Sequence, residues 1–270
     1  MTSIQADSTT NIGVSQRMSS AGPSTEQLQK ELFDRISSQY EAHYDDSCSQ
    51  DYRARFIYKP VFEGIDFSGM SVLEAMCGSG QTTEYLLSRG ASVTGLDISA
   101  QSIESFRRRW PECKAVCASI LDSGLESNSV DCAVVMAGLH HMHPHVGDAI
   151  RELHRVLKPG GYLCLWEPHR GSLPDLVRRW WYRHDSLFAE NEASIDLTAL
   201  KEEFSSQFSF EKERFIGNFA YLLVLNSLIF RVPLKLKSLY APILMKVEPI
   251  VNLFQGKLMS CVAVAQWRKL

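Results

Sequence analysis

The sequence predicts a doubly wound α/β fold built on a mostly parallel, seven-stranded sheet. From Ser71 to Glu167, short apolar runs alternate with stretches of helical periodicity, and this repetition is typical of a parallel sheet with helices on both faces. The run "CAVVMAGL" that begins at Cys132 is continuously apolar, as expected of a central strand buried on both sides. Two further strand candidates after Glu167 complete the predicted sheet.

The predicted strands follow the apolar runs in chain order. They are expected at 71–76, 91–96, 113–118, 130–136, 161–167, 208–216 and 257–267, with helices near 80–89, 99–109 and 145–157. The third helix is the clearest, because apolar residues from Val146 to Leu157 recur at spacings of three and four. The "KPGG" segment after it is expected to end the helix. The segment "DSGLESNS" between the third and fourth strands is too short for a long helix.

The chain divides into a tail, a helical lid and a main domain. Residues 1–24 are rich in Ser, Thr, Gln and Gly, so we expect a disordered tail. Residues 25–64 have helical periodicity, interrupted at Lys59-Pro60, and are expected to form an N-terminal helical lid. Residues 65–270 are expected to form the main domain, with the elements that shape the substrate site within 168–256.

Charge and cysteine content restrict the partners and the setting. The chain has 270 residues, a formal net charge of −3 and an isoelectric point of about 6.2, so nucleic acid is disfavoured as the partner. The seven cysteines are odd in number and form no C-x-x-C pair. This usage favours a reducing, cytoplasmic setting over a disulfide framework. The sequence gives no oligomeric state.

The stretch "SVLEAMCGSGQTTEYL" carries the first functional signal. Gly78 and Gly80 allow a sharp turn between a strand and a helix, and they allow ligand atoms to approach the backbone. The helix that follows adds free N–H groups and a positive potential. The dinucleotide fingerprint requires a third glycine where Thr83 stands, which disfavours a nicotinamide oxidoreductase.

Two acidic residues suggest which ligand the turn binds. Glu74 precedes the glycines, where a carboxylate would repel a pyrophosphate but would accept hydrogen bonds from a cationic group. Asp97 ends the next strand, where an acid accepts hydrogen bonds from ribose hydroxyls. A ligand with a ribose and a cationic end fits both acids, and S-adenosylmethionine is such a ligand.

Three linked segments then resemble a known family. They are "VLEAMCGSGQTTEYLLSRGASVTGLDIS", "NSVDCAVVMAGLHHM" and "AIRELHRVLKPGGYLCLWEP". Together they resemble the Rossmann-like domain of class I S-adenosylmethionine-dependent methyltransferases. The match runs from about Val72 to Pro168 and is closest to the small-molecule branch, which includes the type 11 and quinone-pathway methylases.

The resemblance implies a set of cofactor contacts. The expected residues of the main domain are Glu74, Ala75, Gly78, Gly80, Asp97, Ile98, Ser119, Ile120 and Met136, and Tyr40 or Tyr44 of the lid is expected to reach the carboxylate end of the cofactor. For Glu74, binding to backbone N–H groups is a structural alternative.

Two positions depart from the family pattern. Met76 replaces the first motif glycine, and we expect it to keep an ordinary strand conformation with its side chain packed beneath the loop. Ser119 replaces an aspartate that contacts the adenine amino group in relatives, and a hydroxyl offers only a weaker hydrogen bond there.

The segment "LHHMHPH" follows the fourth strand and supplies candidate bases. His141 is the first candidate to take a proton from the acceptor, and His140 is the second. No metal is expected, because Pro144 breaks the segment and no cysteine or acid pair has a matching spacing. Methyl transfer from an activated sulfonium needs mainly alignment, so the base is needed only for a poorly nucleophilic acceptor.

Residues 168–256 leave several alternatives open. The segment "VRRWWYR" is expected either to place its tryptophans in the core, or to stack on an aromatic acceptor or lie at a lipid interface. The run "YLLVLNSLIF" is expected to form a buried lid helix or to make peripheral membrane contact.

The predicted reaction is O- or C-methylation of a small apolar or aromatic molecule. One alternative is a binding protein that retains the fold with little or no activity. The other is a methyltransferase of protein or nucleic acid, although the chain lacks the Asn/Asp-Pro-Pro-aromatic signature of base methylation.

Overall fold

The computed structural model describes residues 27, 30, 31, 34, 43–185 and 192–270. Its centre is a seven-stranded sheet in the order β3-β2-β1-β4-β5-β7-β6. The strands are β1 (Ser71–Ala75), β2 (Ser92–Asp97), β3 (Lys114–Cys117), β4 (Val130–Met136), β5 (Leu157–Pro168), β6 (Phe208–Ile216) and β7 (Val262–Lys269). Strands β1 to β5 pair in parallel, and β7 is antiparallel to both of its neighbours. This confirms the predicted fold class.

Helices connect the strands, and those after β5, within residues 168–260, form the cap. Those in the described part of the chain are α1 (Ser47–Tyr52), α2 (Lys59–Val61), α3 (Thr83–Ser88), α4 (Ala100–Arg109), α5 (Val146–Val156), α6 (Leu173–Tyr182), α7 (Leu197–Glu203), α8 (Leu234–Phe254) and α9 (Gly256–Met259). Two π-helical turns, Arg53–Tyr58 and Tyr221–Leu225, and a 3-10 turn, Leu139–His141, complete the elements near the site.

Alternate residues of each central strand enter different cores. In β4, Cys132 and Val134 belong to one buried cluster, while Ala133 and Val135 belong to the other. Successive strand residues point to opposite faces of a sheet, so the two clusters lie on its two sides. Helices α3 and α4 contribute to the first cluster and α5 and α7 to the second, which is the arrangement of a doubly wound sheet.

Two predicted boundaries were wrong. The "KPGG" segment ends α5 but is already part of β5, which begins at Leu157 and pairs with Val130 before a register shift. The closing strand was predicted over 257–267, whereas the structure places α9 before it and starts β7 at Val262. Lys257, Leu258 and Met259 are exposed, and the pairing of β7 with β5 and β6 begins only at Val262.

The cap differs from a simple lid helix. The predicted apolar run "YLLVLNSLIF" is buried or half-buried and contains the π-helical turn, while the long helix of the cap is α8. Among the described residues, no helix combines the length and apolar character that a membrane span requires. The predicted tail lies outside the described residues, as does most of the lid before His43.

Candidate functional site

The first cavity lies where β1, β2 and β4 end. It has a volume of about 130 Å³ and is lined by the residues that follow each of these strands. Ala75, Gly78, Asp97, Ile98 and Met136 all line it. The carboxyl ends of parallel strands are where doubly wound sheets bind ligands, so the structure brings these predicted contacts together at the expected place.

Two residues beside this cavity have strained backbones. Met76 and Ala137 follow β1 and β4, and their φ angles are +55° and +57°. The prediction that Met76 keeps a strand conformation was therefore wrong. Its side chain lies against Gly138, where an added Cβ would meet the methionine sulfur at 2.7 Å. Non-glycine residues in the left-handed region cost about 1–2 kcal/mol, and such strain is concentrated at functional sites.

Gly78 and Gly80 have different surroundings although both have positive φ angles. Gly78 has open space where a Cβ would lie and borders the cavity. Gly80 does not line the cavity; a Cβ there would lie 2.4 Å from Nε1 of Trp110. Trp110 also donates a hydrogen bond to the Ser79 carbonyl oxygen at 3.1 Å. Gly78 thus leaves room for a ligand, and Gly80 leaves room for the indole that supports the loop.

Glu74 holds the glycine loop to β1. Its carboxylate accepts hydrogen bonds from the Thr82 N–H at 3.0 Å and from the Thr83 hydroxyl at 2.5 Å. Burial raises the pKa of Glu74 to about 7, although these hydrogen bonds and Arg53 lower it. The residue also lines the cavity, so it stabilises the loop and faces the ligand space.

Asp97 joins the ends of β1 and β2. Its two carboxylate oxygens accept hydrogen bonds from the Gly78 N–H at 2.8 Å and the Ser99 N–H at 2.9 Å. Burial raises the pKa of Asp97 above its ordinary value, against the effect of these N–H groups. Each oxygen retains a further lone pair, so the carboxylate can accept hydrogen bonds from hydroxyls in the cavity.

The remaining predicted contacts divide between two places. Ile120 is buried and lines the first cavity, but the Ser119 hydroxyl accepts a hydrogen bond from the Leu121 N–H at 2.9 Å and does not line it. Tyr44 donates a hydrogen bond to Asn226 at 3.0 Å and lines a second cavity instead. Tyr40 lies outside the described residues.

Arg53 was not found from the sequence. It is buried, its guanidinium donates a hydrogen bond to Gln81 at 2.6 Å, and it lies 5.7 Å from the centre of the Tyr44 ring. It lines both cavities. The sequence showed only an arginine within a helical segment, because its hydrogen-bond partner Gln81 lies 28 residues further along the chain.

The second cavity is larger and more apolar. Its volume is about 500 Å³, within the range of small-molecule sites. Its walls include Trp166, Trp181, Tyr221 and Phe230, which come from β5, from α6 and from the segment before α8. It shares Arg53, Ala137 and His141 with the first cavity, so the two are neighbours.

His141 lies at the junction of the two cavities. Its Nδ1 is 3.2 Å from Oε1 of Glu192, and both side chains are buried. Burial lowers the pKa of His141, but Glu192 and Glu167 outweigh this effect and raise it above its ordinary value. A carboxylate beside Nδ1 orients the ring so that Nε2 is the basic nitrogen. Glu192 lies in no recognisable motif and was missed.

His140 is held by a different carboxylate. Its Nδ1 lies 2.9 Å from Oε2 of Glu167, and Oε1 of the same carboxylate accepts hydrogen bonds from the N–H groups of Gly138 and Leu139 at 2.8 Å each. Burial and the neighbouring His141 lower the pKa of His140 well below its ordinary value. His140 lines only the second cavity. Glu167 thus fixes the loop that carries both histidines.

Among the described residues, the two histidines and Glu192 form a group whose side chains could bind a metal ion. Ligand atoms of His140, His141 and Glu192 all lie within 4.8 Å of one another. The absence of a metal stays a prediction from the sequence.

The first cavity fits S-adenosylmethionine. A Cβ on Gly78 would occupy open space beside the ligand position. The carboxylates of buried Glu74 and half-buried Asp97 suit a cationic group and a ribose. Ile98 and Ile120 provide apolar contact for a flat base. These residues and Met136 would hold the cofactor.

Comparison with known proteins supports this assignment. Residues 73–165 match the family model described as "Methyltransferase domain". The malonyl-[acyl-carrier protein] O-methyltransferase of Salmonella typhimurium is 32% identical over 148 residues, which are 55% of this chain and 56% of that protein. The chain spans about half the length of the curated relatives it matches.

Solved structures share the fold at low sequence identity. The [4+2]-cyclase SpnF covers 92% of this chain and 97% of its own, with a TM-score of 0.63 and 16% identity. The magnesium protoporphyrin IX methyltransferase of Synechocystis PCC 6803 with bound SAH covers 92% and 100%, with a TM-score of 0.61 and 13% identity. Residues 73–165 thus resemble a methyltransferase domain in sequence, and the chain shares the fold of these solved structures.

Proposed function

We propose that the protein transfers a methyl group from S-adenosylmethionine to oxygen or carbon of a small apolar or aromatic molecule. One observation supports this most strongly: the large apolar cavity adjoins the cofactor cavity through Arg53, Ala137 and His141. An acceptor in the second cavity would therefore meet the cofactor at His141.

The lining of the second cavity supports the class of acceptor. Apolar side chains, including those of tryptophan, tyrosine, phenylalanine and leucine, form most of its walls, and such surfaces bind flat or aliphatic molecules. Arg178 is a polar group in this wall, and its guanidinium donates hydrogen bonds to the Ser194 hydroxyl at 3.1 Å and the Cys261 carbonyl at 2.6 Å. The cavity thus favours an apolar body with few polar groups.

The residues of the chain would align the reactants and accept one proton. S-adenosylmethionine supplies an activated methyl group when it is bound. His141 would take the proton from the acceptor hydroxyl or carbon at Nε2 as the methyl–acceptor bond forms, and Glu192, 3.2 Å from its Nδ1, would stabilise the resulting imidazolium. Arg53 carries a positive charge toward the cofactor cavity and is suited to a carboxylate there.

Calorimetric titration with S-adenosylhomocysteine tests the cofactor site. We expect micromolar binding to the wild type, no binding of NADH, and loss of binding in Asp97→Ala. Circular dichroism shows whether the variant is folded, and Asp122→Ala, an exposed acid two residues beyond the cavity-lining Ile120, is the matched control.

A panel of apolar and aromatic acceptors, with S-adenosylhomocysteine measured by mass spectrometry, tests the reaction. Product formation that depends on His141 supports the proposal. S-adenosylhomocysteine binding with no turnover on small acceptors would instead support a binding protein or a methyltransferase of macromolecules. No binding in folded protein would contradict the cofactor assignment.

We also propose a reducing setting such as the cytoplasm. All seven cysteines are free thiols, including Cys132 and Cys164, whose sulfur atoms lie 3.9 Å apart in the core. An odd number of cysteines without a C-x-x-C pair supports a compartment in which disulfides do not persist.

A further inference from the structure

Helices α6, α8 and α9 expose many large apolar side chains. In α8 and at its end, Leu239, Leu253 and Phe254 are 72%, 79% and 83% exposed. In α6, Trp180 is 63% exposed, and Leu258 of α9 is also exposed. Exposed apolar residues scattered singly are ordinary, but a group of this size marks an interaction site. We call the exposed residues of these three helices the cap face.

The three helices are connected in space. Only Gln255 separates α8 from α9 along the chain, and α9 contacts α6. At the other end of α8, Arg231 pairs with Asp185, which follows α6, at 2.9 Å. The cap face is therefore formed by neighbouring elements.

The charges of the cap face have one sign. Within 171–185 and 231–260 the exposed charged residues are basic: Arg179, Arg183, Arg231, Lys235, Lys246 and Lys257. Asp175 and Glu248 are buried, and Asp185 is paired with Arg231. The whole chain has a net charge of −3, so this basic and apolar surface contrasts with the rest of the molecule.

The second cavity opens toward the cap face. Leu173, Val177 and Met259 line the second cavity, and each of them is about half exposed. They belong to α6 and α9 and so connect the cavity interior to the cap face.

We propose that the cap face binds the surface of a membrane containing anionic lipids, and that the acceptor enters the second cavity from that membrane. Apolar side chains that enter the acyl region beside cations that meet anionic headgroups are the pattern of interfacial helices. A second copy of this chain fits less well, because a two-fold contact would place the like charges of the two cap faces together.

The membrane contact does not depend on turnover, and only the entry of the acceptor rests on the proposed function. The test is co-sedimentation of the full chain with vesicles of phosphatidylcholine alone, or of phosphatidylcholine and phosphatidylglycerol in equal parts. We expect binding to the anionic vesicles and much weaker binding to the neutral ones. Absence of wild-type binding to the anionic vesicles would overturn the proposal.

Two double variants separate the apolar and the electrostatic contributions. Lys235→Glu/Lys246→Glu should weaken binding to anionic vesicles by at least about fivefold per residue. Leu253→Ser/Phe254→Ser should weaken it by roughly tenfold or more, because each side chain loses the free energy of apolar burial. None of these four residues lines either cavity.

Control variants carry comparable changes elsewhere. Arg107→Glu/Arg108→Glu reverses two exposed charges on α4, and Leu270→Ser removes an exposed leucine at the end of the chain. Both should bind vesicles as the wild type does. Equal loss in the controls would overturn the proposal, since the effect would not belong to the cap face.

Two further measurements distinguish the remaining outcomes. Titration with S-adenosylhomocysteine should be unchanged in the cap-face variants, so a failed cofactor site and a failed membrane contact are separable. Sedimentation equilibrium detects self-association. A dimer abolished by Leu253→Ser/Phe254→Ser, with no vesicle binding, would assign the face to a second copy instead.

Discussion

At the residue scale, Glu192 controls the protonation of His141 from a distant part of the chain. We predict that Glu192→Gln lowers the pKa of His141, because the amide removes the negative charge that opposes burial. The pKa should fall from above the ordinary histidine value to below it. NMR titration of the histidine Cε1–Hε1 signals measures this directly and does not need the acceptor.

The assignment and control for this titration are straightforward. His141→Gln identifies the signal, and Glu203→Gln, an exposed acid on α7, should leave it unchanged. An unaltered pKa in Glu192→Gln would show that Glu192 does not act on His141.

Alanine substitutions at Gly78 and Gly80 are predicted to have different effects on stability and on ligand binding. Gly80→Ala should destabilise the fold by about 2 kcal/mol or more, because its Cβ would overlap the Trp110 indole. Gly78→Ala meets open space, so it should cost only about 1 kcal/mol of backbone strain but weaken S-adenosylhomocysteine binding by about tenfold or more. Urea unfolding and calorimetry measure the two effects, and the reverse pattern would contradict these roles.

The sequence predicted residues whose role depends on local pattern and missed those that depend on distant contacts. Asp97 ends β2 and Gly78 follows β1 in a recognisable motif, so their positions were predictable. Arg53 and Glu192 belong to segments before and after the central strands and reach the cavities only through tertiary contacts. The conformation of Met76 was mispredicted because nothing in the local pattern shows that the turn needs a left-handed residue there.

At the element scale, α6 shows how tertiary contacts decide which side of a helix is buried. The segment "VRRWWYR" suggested buried tryptophans and solvated arginines, but the Arg178 side chain is only 11% exposed and Trp180 is 63% exposed. Arg178 is stabilised inside by the Ser194 hydroxyl and the Cys261 carbonyl. Hydrogen-bond partners for a buried guanidinium come from other elements, and therefore composition alone could not identify the buried side.

Helices α1 and α8 are joined by a buried lysine. Lys237 Nζ donates hydrogen bonds to Asp46, to the Ser49 hydroxyl at 2.6 Å and to the His43 carbonyl at 2.8 Å. We predict that Lys237→Ala lowers the free energy of unfolding by about 3 kcal/mol, because it leaves Asp46 without its cation.

Urea unfolding measures this loss, and the same helix provides the control. Lys235 is exposed, so Lys235→Ala should change the stability by less than about 0.5 kcal/mol. Similar effects of the two substitutions would show that the buried ion pair does not hold the cap to α1.

At the scale of the whole molecule, the sheet was predictable and the cap was not. Strands β1 to β5 and the helices between them follow local periodicity, and doubly wound connections leave few topologies. The cap has no such repeat: its apolar run became a buried π-helical turn, and its long helix exposes apolar side chains. Helical periodicity is normally used to infer a buried apolar face, and α8 leaves apolar side chains exposed, so this rule could not predict its packing.

Buried carboxylates should make the stability of the whole molecule depend on pH. Burial raises the pKa of Glu74 and of Glu167 to about 7, against about 4.3 in an unfolded chain. Between these values the folded state binds more protons than the unfolded state, so the contribution of each group to stability falls as pH rises. Above the folded pKa both are ionised and the cost of burying the charge is fully present.

The variant Glu74→Gln isolates one of these contributions from the other titrating groups. Its amide can accept the Thr82 N–H and donate to the Thr83 hydroxyl, so the loop contacts are retained while the charge is removed. Urea unfolding of both proteins without cofactor, from about pH 4.5 to about pH 8, measures the difference in stability. We expect the variant to gain stability relative to the wild type as pH rises through this window and to change little above pH 7. A constant difference across the window would mean that Glu74 is ionised in the folded protein at all these pH values, held so by Arg53 and the N–H groups of the loop.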